Sequence, residues 1–305
     1  MLVIYLFYAL TGSAAAVSIT LALSSAVISA VALRGIYSEF FEKELSNLGV
    51  FIYLFLPAVQ VYYLANIYAV VATVAILTVY CYLHDNRLVS IAGTLVFSFI
   101  GTFISFIFVV IPLALLIYEI LTSMSEGIQI IDSLRNVLKP VGIIAGVVLL
   151  YGVAYLALGF NYVQAFSVAS ASENPGGFML LANPVEYFTS RIEDVLDITV
   201  FFEPVLVVLG FRGLQQLRSN PGRPSNKKAY LLAIAGMIAL GLLFLTGAPK
   251  KGETARICMF KLPFLLLPVL SFVESAGYSK RDRFLLLVVV LVQAILIQLV
   301  GTYIW

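Results

Sequence analysis

The chain is 305 residues long, 62% hydrophobic and 11% charged, with a formal net charge of +2. A mean hydropathy of +1.04 means more apolar surface than a core of this length can bury, which excludes a water-soluble globule and points to a polytopic membrane protein. Its bases are dispersed among connectors and form no stripe, which argues against nucleic-acid binding.

A transmembrane helix needs about 20 largely apolar residues and must satisfy its backbone internally. On that rule the spans fall at 2–33, 49–64, 66–83, 88–104, 106–122, 138–160, 195–211, 229–247, 260–275 and 284–304. The reading is an all-α transmembrane bundle of about ten spans (8–11 by the same length rule), forming one integral-membrane domain over 1–305.

Residues 2–33 carry no charge, lack a basic flank and run too long for a signal peptide, so they read as a true span. In 34–48, Tyr37, Phe40, Phe41 and Leu48 recur at near-helical spacing while Glu39, Glu42, Lys43 and Ser46 take the other side. That pattern predicts an amphipathic helix lying in the interface. The lone histidine, His84, falls in a short polar connector and reads as a solvated loop residue. Cys81 and Cys258, the only cysteines, fall at opposite membrane faces in this topology, which argues against a disulfide or a cysteine metal site. The stretch 88–122 is either one long helix or two short ones meeting near Gly101 and Thr102, and charge topology favours two.

The window 161–197 holds the acids Glu173, Glu186, Glu193, Asp194 and Asp197 against one base, Arg191, whereas 211–229 holds Arg212, Arg218, Arg223, Lys227 and Lys228 and no acid. Because cytoplasmic loops are enriched in Lys and Arg, 211–229 is the cytoplasmic connector and 161–194 an external loop. Both termini and 248–259 then face outward. Asn-Pro and Gly-Gly pairs within 174–184 make the external loop a folded lid over the cavity between the spans.

Charges inside spans are costly, so Glu119, Asp197 and Glu203 are candidates for function. Glu119 and Asp197 lie near span ends. Glu203 lies deeper, before Pro204, and reads either as a structural partner or as a functional acid. Glu193 and Asp197 share a helix face at the start of a span, which suits a helix N-terminus or an acidic surface site. Further on, 247–256 places Lys250, Lys251, Glu253 and Arg256 on an outer connector, where the positive-inside bias makes bases unusual and where Lys and Arg suit a phosphate.

Several runs carry a resemblance: Ser172-Glu-Asn-Pro-Gly-Gly-Phe-Met-Leu-Leu-Ala-Asn-Pro184, Tyr187-Phe-Thr-Ser-Arg-Ile-Glu-Asp194, Thr246-Gly-Ala-Pro-Lys-Lys-Gly-Glu-Thr-Ala-Arg256 and Phe260-Lys-Leu-Pro-Phe-Leu-Leu-Leu-Pro268. With the weaker run Leu56-Pro-Ala-Val-Gln-Val-Tyr-Tyr63, they resemble the C-terminal membrane half of the C-type glycosyltransferases. Those polytopic enzymes are similar to the protein O-mannosyltransferases and the lipid A aminoarabinose transferase. The Gly-Glu-Thr-Ala-Arg box is the more specific signal.

The resemblance implies inverting transfer of a sugar from a polyprenyl-phosphate donor to an acceptor at the outer face of the cell membrane. By position, Lys251 and Arg256 match the family's phosphate-holding bases, and Glu253 would orient Arg256. The family's acceptor-activating acid lies in its first external loop, but this chain has no acid before Glu39, which falls inside. Two readings follow. Either the first span and catalytic loop are missing, which agrees with the external N-terminus, or the chain is a reduced relative. That relative either binds polyprenyl phosphate without transferring sugar or uses Glu173, Glu186 or Asp194 as its base. A divalent cation is left open because no ligand spacing requires one. The rival classes are a transporter or lipid flippase, whose repeated pair of interrupted spans is not visible, and a non-catalytic scaffold subunit.

Overall fold

The computed structural model describes residues 12–63, 66–126, 130–173, 179–219, 224–247 and 254–301. Among them every regular element is helical and no strand occurs. Among the described residues, five helices are long and apolar enough to cross a membrane: Ala14–Ser38, Phe106–Ser125, Asn136–Leu158, Ser225–Leu245 and Lys280–Val300. Other apolar helices are shorter, and breaks at Leu56, Ser105 and Glu203 interrupt three of the apolar stretches. The chain divides into two compact units, Met1–Ile76 with Ile198–Tyr230 and Ala255–Trp305, and Leu77–Asp197 with Leu231–Thr254.

In the first unit, α1 (Ala14–Ser38) is capped by Ser13, whose side chain accepts from the Ala16 N–H. The segment 34–48 is not one amphipathic helix. α1 runs through Ser38, the Tyr37 carbonyl accepts from both Phe40 and Phe41 N–H, and α2 (Lys43–Phe55) starts after that turn. Phe40 and Phe41 are buried, so their near-helical spacing marks burial on both sides of a turn. Pro57 ends α2, because a residue before proline avoids the helical region and Leu56 is extended at ψ 138. α3 (Pro57–Tyr62) and α4 (Ile67–Leu83) follow.

Hydroxyls tie these pieces together. Ser29 of α1 meets Tyr63 at 3.2 Å and Thr73 of α4 at 3.0 Å, and Tyr53 of α2 meets Tyr63 at 2.9 Å. Paired in this way, buried polar groups avoid their desolvation cost. Completing this unit are α11 (Pro204–Ser219), α14 (Leu262–Ser275) and α15 (Lys280–Val300). α11 and α14 approach closely at Gly210 and Gly213, small residues on one face that let backbones pack together. α15 begins with a capping box between Ser279 and Asp282.

In the second unit, a π turn at Val89–Gly93 leads into α5 (Thr94–Ile104), and α6 (Val110–Ser125) follows a short 3-10 turn. The two-helix reading of 88–122 is the observed one, with the break at Ser105 (φ −146, ψ 124). Gly101 supplies the room for it: a Cβ there would lie 2.3 Å from the folded-back Phe108 ring. α7 (Ile130–Leu158) packs on α5 and α6. Lys139 of α7 donates to the Tyr82 carbonyl at 2.8 Å and lies over the Tyr82 ring, while Tyr82 donates to Glu119 at 2.6 Å. Glu119 is therefore held in a hydrogen-bonded cluster.

The stretch read as an external loop is largely helical, comprising α8 (Tyr162–Glu173), α9 (Met179–Ala182) and most of α10 (Pro184–Phe202). The 211–229 connector is likewise mostly helical, shared between the end of α11 and the start of α12 (Pro224–Leu245).

Gly213→Ala is the sharpest packing test, since its Cβ would lie 1.9 Å from the Pro268 carbonyl oxygen. We expect it to cost about 1–3 kcal/mol and to lower the unfolding temperature in detergent. Gly241→Ala, with nothing within 4 Å of the new Cβ, should leave that temperature unchanged or raise it.

Candidate functional site

α10 places Tyr187, Arg191 and Asp194 at i, i+4 and i+7, one face of a helix. The last carbonyls of a helix lack intrahelical donors, and this face supplies them for α12. Tyr187 donates its hydroxyl to the Leu245 carbonyl at 2.8 Å, and Arg191 Nη1 donates to the Phe244 carbonyl at 3.0 Å. A cation at a helix C-terminus is further favoured by the dipole. Arg191 also pairs with Asp194 at 3.0 Å. Asp194, only 1% exposed, accepts the Thr254 hydroxyl at 2.5 Å. Burial raises the Asp194 carboxyl above the usual aspartate range, while the Thr254 hydrogen bond and Arg191 pull it back down.

One helix face therefore ties down both ends of the connector 246–253: Phe244 and Leu245 before it, Thr254 after it. Lys250, Lys251 and Glu253 lie outside the described residues, so the expected pairing of Glu253 with Arg256 does too. Thr254 opens α13 (Thr254–Ile257).

In the first unit, the Arg256 guanidinium stands 5.6 Å from the Tyr68 ring, a cation–π distance. Five residues on, Lys261 is 1% exposed, with its ammonium 5.3 Å and 5.5 Å from the Phe260 and Phe264 rings. The sequence reading missed Lys261; its signal was a single charge within the apolar stretch 257–273. It missed Tyr187 and Arg191 as well, although their i, i+4, i+7 spacing with Asp194 was legible.

Two of the three candidate bases have described side chains, and each is engaged in a local contact. Asp194 is engaged by Arg191 and Thr254. Glu186 is exposed and belongs to a turn with Asn183, accepting its side-chain amide at 3.0 Å and giving its own N–H to the Asn183 side-chain oxygen at 3.2 Å. Glu173 ends α8, and its side chain lies outside the described residues. Glu203 is fully buried at the junction of α10 and α11. Cys81 and Cys258 are buried, and among the described residues neither forms a disulfide. Among the described residues, no group of three or more His, Cys, Asp or Glu is placed to hold a metal.

The second unit also contains a groove of about 510 Å³, lined by Val147, Tyr151, Tyr155, Phe160, Tyr162 and Pro112 among others. Its lining is apolar and aromatic, which suits a hydrocarbon chain better than a polar solute.

Asp194→Ala should destabilise the protein by about 3 kcal/mol, because it leaves the Arg191 guanidinium buried without its carboxylate. Pairing it with Arg191→Met should cost less than the sum of the two single changes. Thermal unfolding of the four proteins in one detergent measures both effects, and strict additivity would refute the coupling. No protein-family model matches the chain, and neither does any curated protein or solved structure.

Proposed function

We propose that this chain is a membrane glycosyltransferase-like protein that takes a sugar from a polyprenyl-phosphate donor and passes it to an acceptor at the outer face of the cell membrane. The observation that carries the reading is the pair of cations Arg256 and Lys261, set five residues apart in a mostly buried apolar segment. Cations in an apolar setting are costly and mark binding functions. The ligand that suits them is a membrane-borne anion, and a lipid phosphate combines the charge with an apolar tail.

In this reading Lys251 and Arg256 hold the phosphate, with Glu253 orienting the guanidinium. Asp194 is a positioning residue that anchors the box through Thr254. A base role then falls to Glu173 or Glu186. The remaining short apolar helices bring the spans toward ten, with both termini and the basic box external. A second reading, a transporter or flippase, draws on the interruptions at Leu56–Pro57 and Glu203–Pro204, since broken helices are common at transport sites.

Arg256→Ala is expected to weaken binding of polyprenyl phosphate by the detergent-solubilised protein by about tenfold to a hundredfold, the scale of a lost charged hydrogen bond. Arg256→Lys should recover only part of it, because an ammonium lacks the bidentate fork. Unchanged binding in Arg256→Ala would remove the phosphate assignment. Lipid translocation in proteoliposomes without any sugar transfer would favour the second reading.

A further inference from the structure

The junction of α10 and α11 combines two unfavourable features at one residue. Glu203 has φ +79, the only positive φ at a non-glycine position among the described residues. An L-residue with a side chain rarely adopts that region, and such strain concentrates at ligand-binding positions. The same side chain is fully buried, and among the described residues neither carboxylate oxygen has a hydrogen-bond partner. Glycine or asparagine would take the backbone shape with less strain, and leucine would fill the volume without a buried acid. Neither the strain nor the burial is explained by a contact among the described residues.

The backbone at the break narrows what could explain both. The Glu203 N–H goes to the Val200 carbonyl at 3.3 Å, its carbonyl accepts from Val207 at 3.0 Å, and Pro204 has no N–H to offer. The break thus brings an unpaired buried carboxylate to the carbonyl end of α10, the end of a helix that carries partial negative charge and lacks intrahelical donors. An acceptor set takes a cation or a hydrogen-bond donor. With 0% exposure, Glu203 admits nothing much larger than an ion without rearrangement. One carboxylate balances one positive charge, and among the described residues no cluster of three acids, histidines or cysteines would suit a divalent ion.

We propose that the break between α10 and α11 binds a small monovalent cation, with Glu203 as its carboxylate ligand. Carbonyls at the end of a half-helix together with a buried acid are the elements of such a site within a bilayer. The proposal stands apart from the lipid-phosphate reading, so failure of the Arg256 experiment leaves it untouched.

The full chain, purified in detergent, is unfolded by heat in sodium, lithium, potassium or choline chloride at equal ionic strength and pH. The wild type should unfold at a higher temperature in at least one of the three small ions than in choline, with a saturable dependence on concentration. E203Q should lose that dependence. A wild type that does not distinguish the ions, or an E203Q protein that retains the rise, overturns the site. Should E203Q fail to fold, E203D keeps the charge but withdraws it by one methylene. Its half-saturating concentration should then rise severalfold, and an unshifted midpoint also overturns the proposal.

Discussion

The last carbonyls of a helix need donors, and at the end of α12 side chains of another helix add to the one backbone donor, the Gly247 N–H on the Phe244 carbonyl. Tyr187 and Arg191 answer Leu245 and Phe244. Bringing a guanidinium there creates a second need, met by Asp194, and the Asp194 carboxylate in turn takes the Thr254 hydroxyl. Each partner in this chain satisfies a polar group that would otherwise be buried at a cost. The outcome is mechanical: the basic connector 246–253 starts and ends on one face of α10.

The helix breaks have separate local causes. At Leu56 the following proline excludes helical geometry. At Ser105 the chain turns because Gly101 leaves space for the Phe108 ring. At Glu203 a proline follows again, but the residue before it bears a side chain in the left-handed region. The first two breaks are accounted for by packing and covalent geometry, and only the third leaves strain and an acid without an internal partner.

The interior charges fall into similar groups. Lys139, Tyr82 and Glu119 form a cluster in which the lysine and the acid each have a partner, so Glu119, singled out by its position in a span, has a structural explanation. Arg256 and Lys261 are placed against aromatic rings, which soften the cost of a buried cation.

What the sequence by itself determined was the all-helical, membrane-embedded character, since apolar length and charge density are local properties of the chain. The two-helix reading of 88–122 was legible from charge topology alone. The basic box stood out because its residues are adjacent. Tertiary structure decided the rest. Tyr37, Phe40, Phe41 and Leu48 keep helical spacing across a turn, since periodicity records burial and not the hydrogen bonds at the Tyr37 carbonyl. Asp194 read as one of an acidic group, yet its hydroxyl partner lies 60 residues away. Gly213 was one glycine among 21 until its helix met Pro268. Partners of that kind depend on which helices become neighbours, and helix adjacency is a long-range outcome that hydropathy and spacing do not encode.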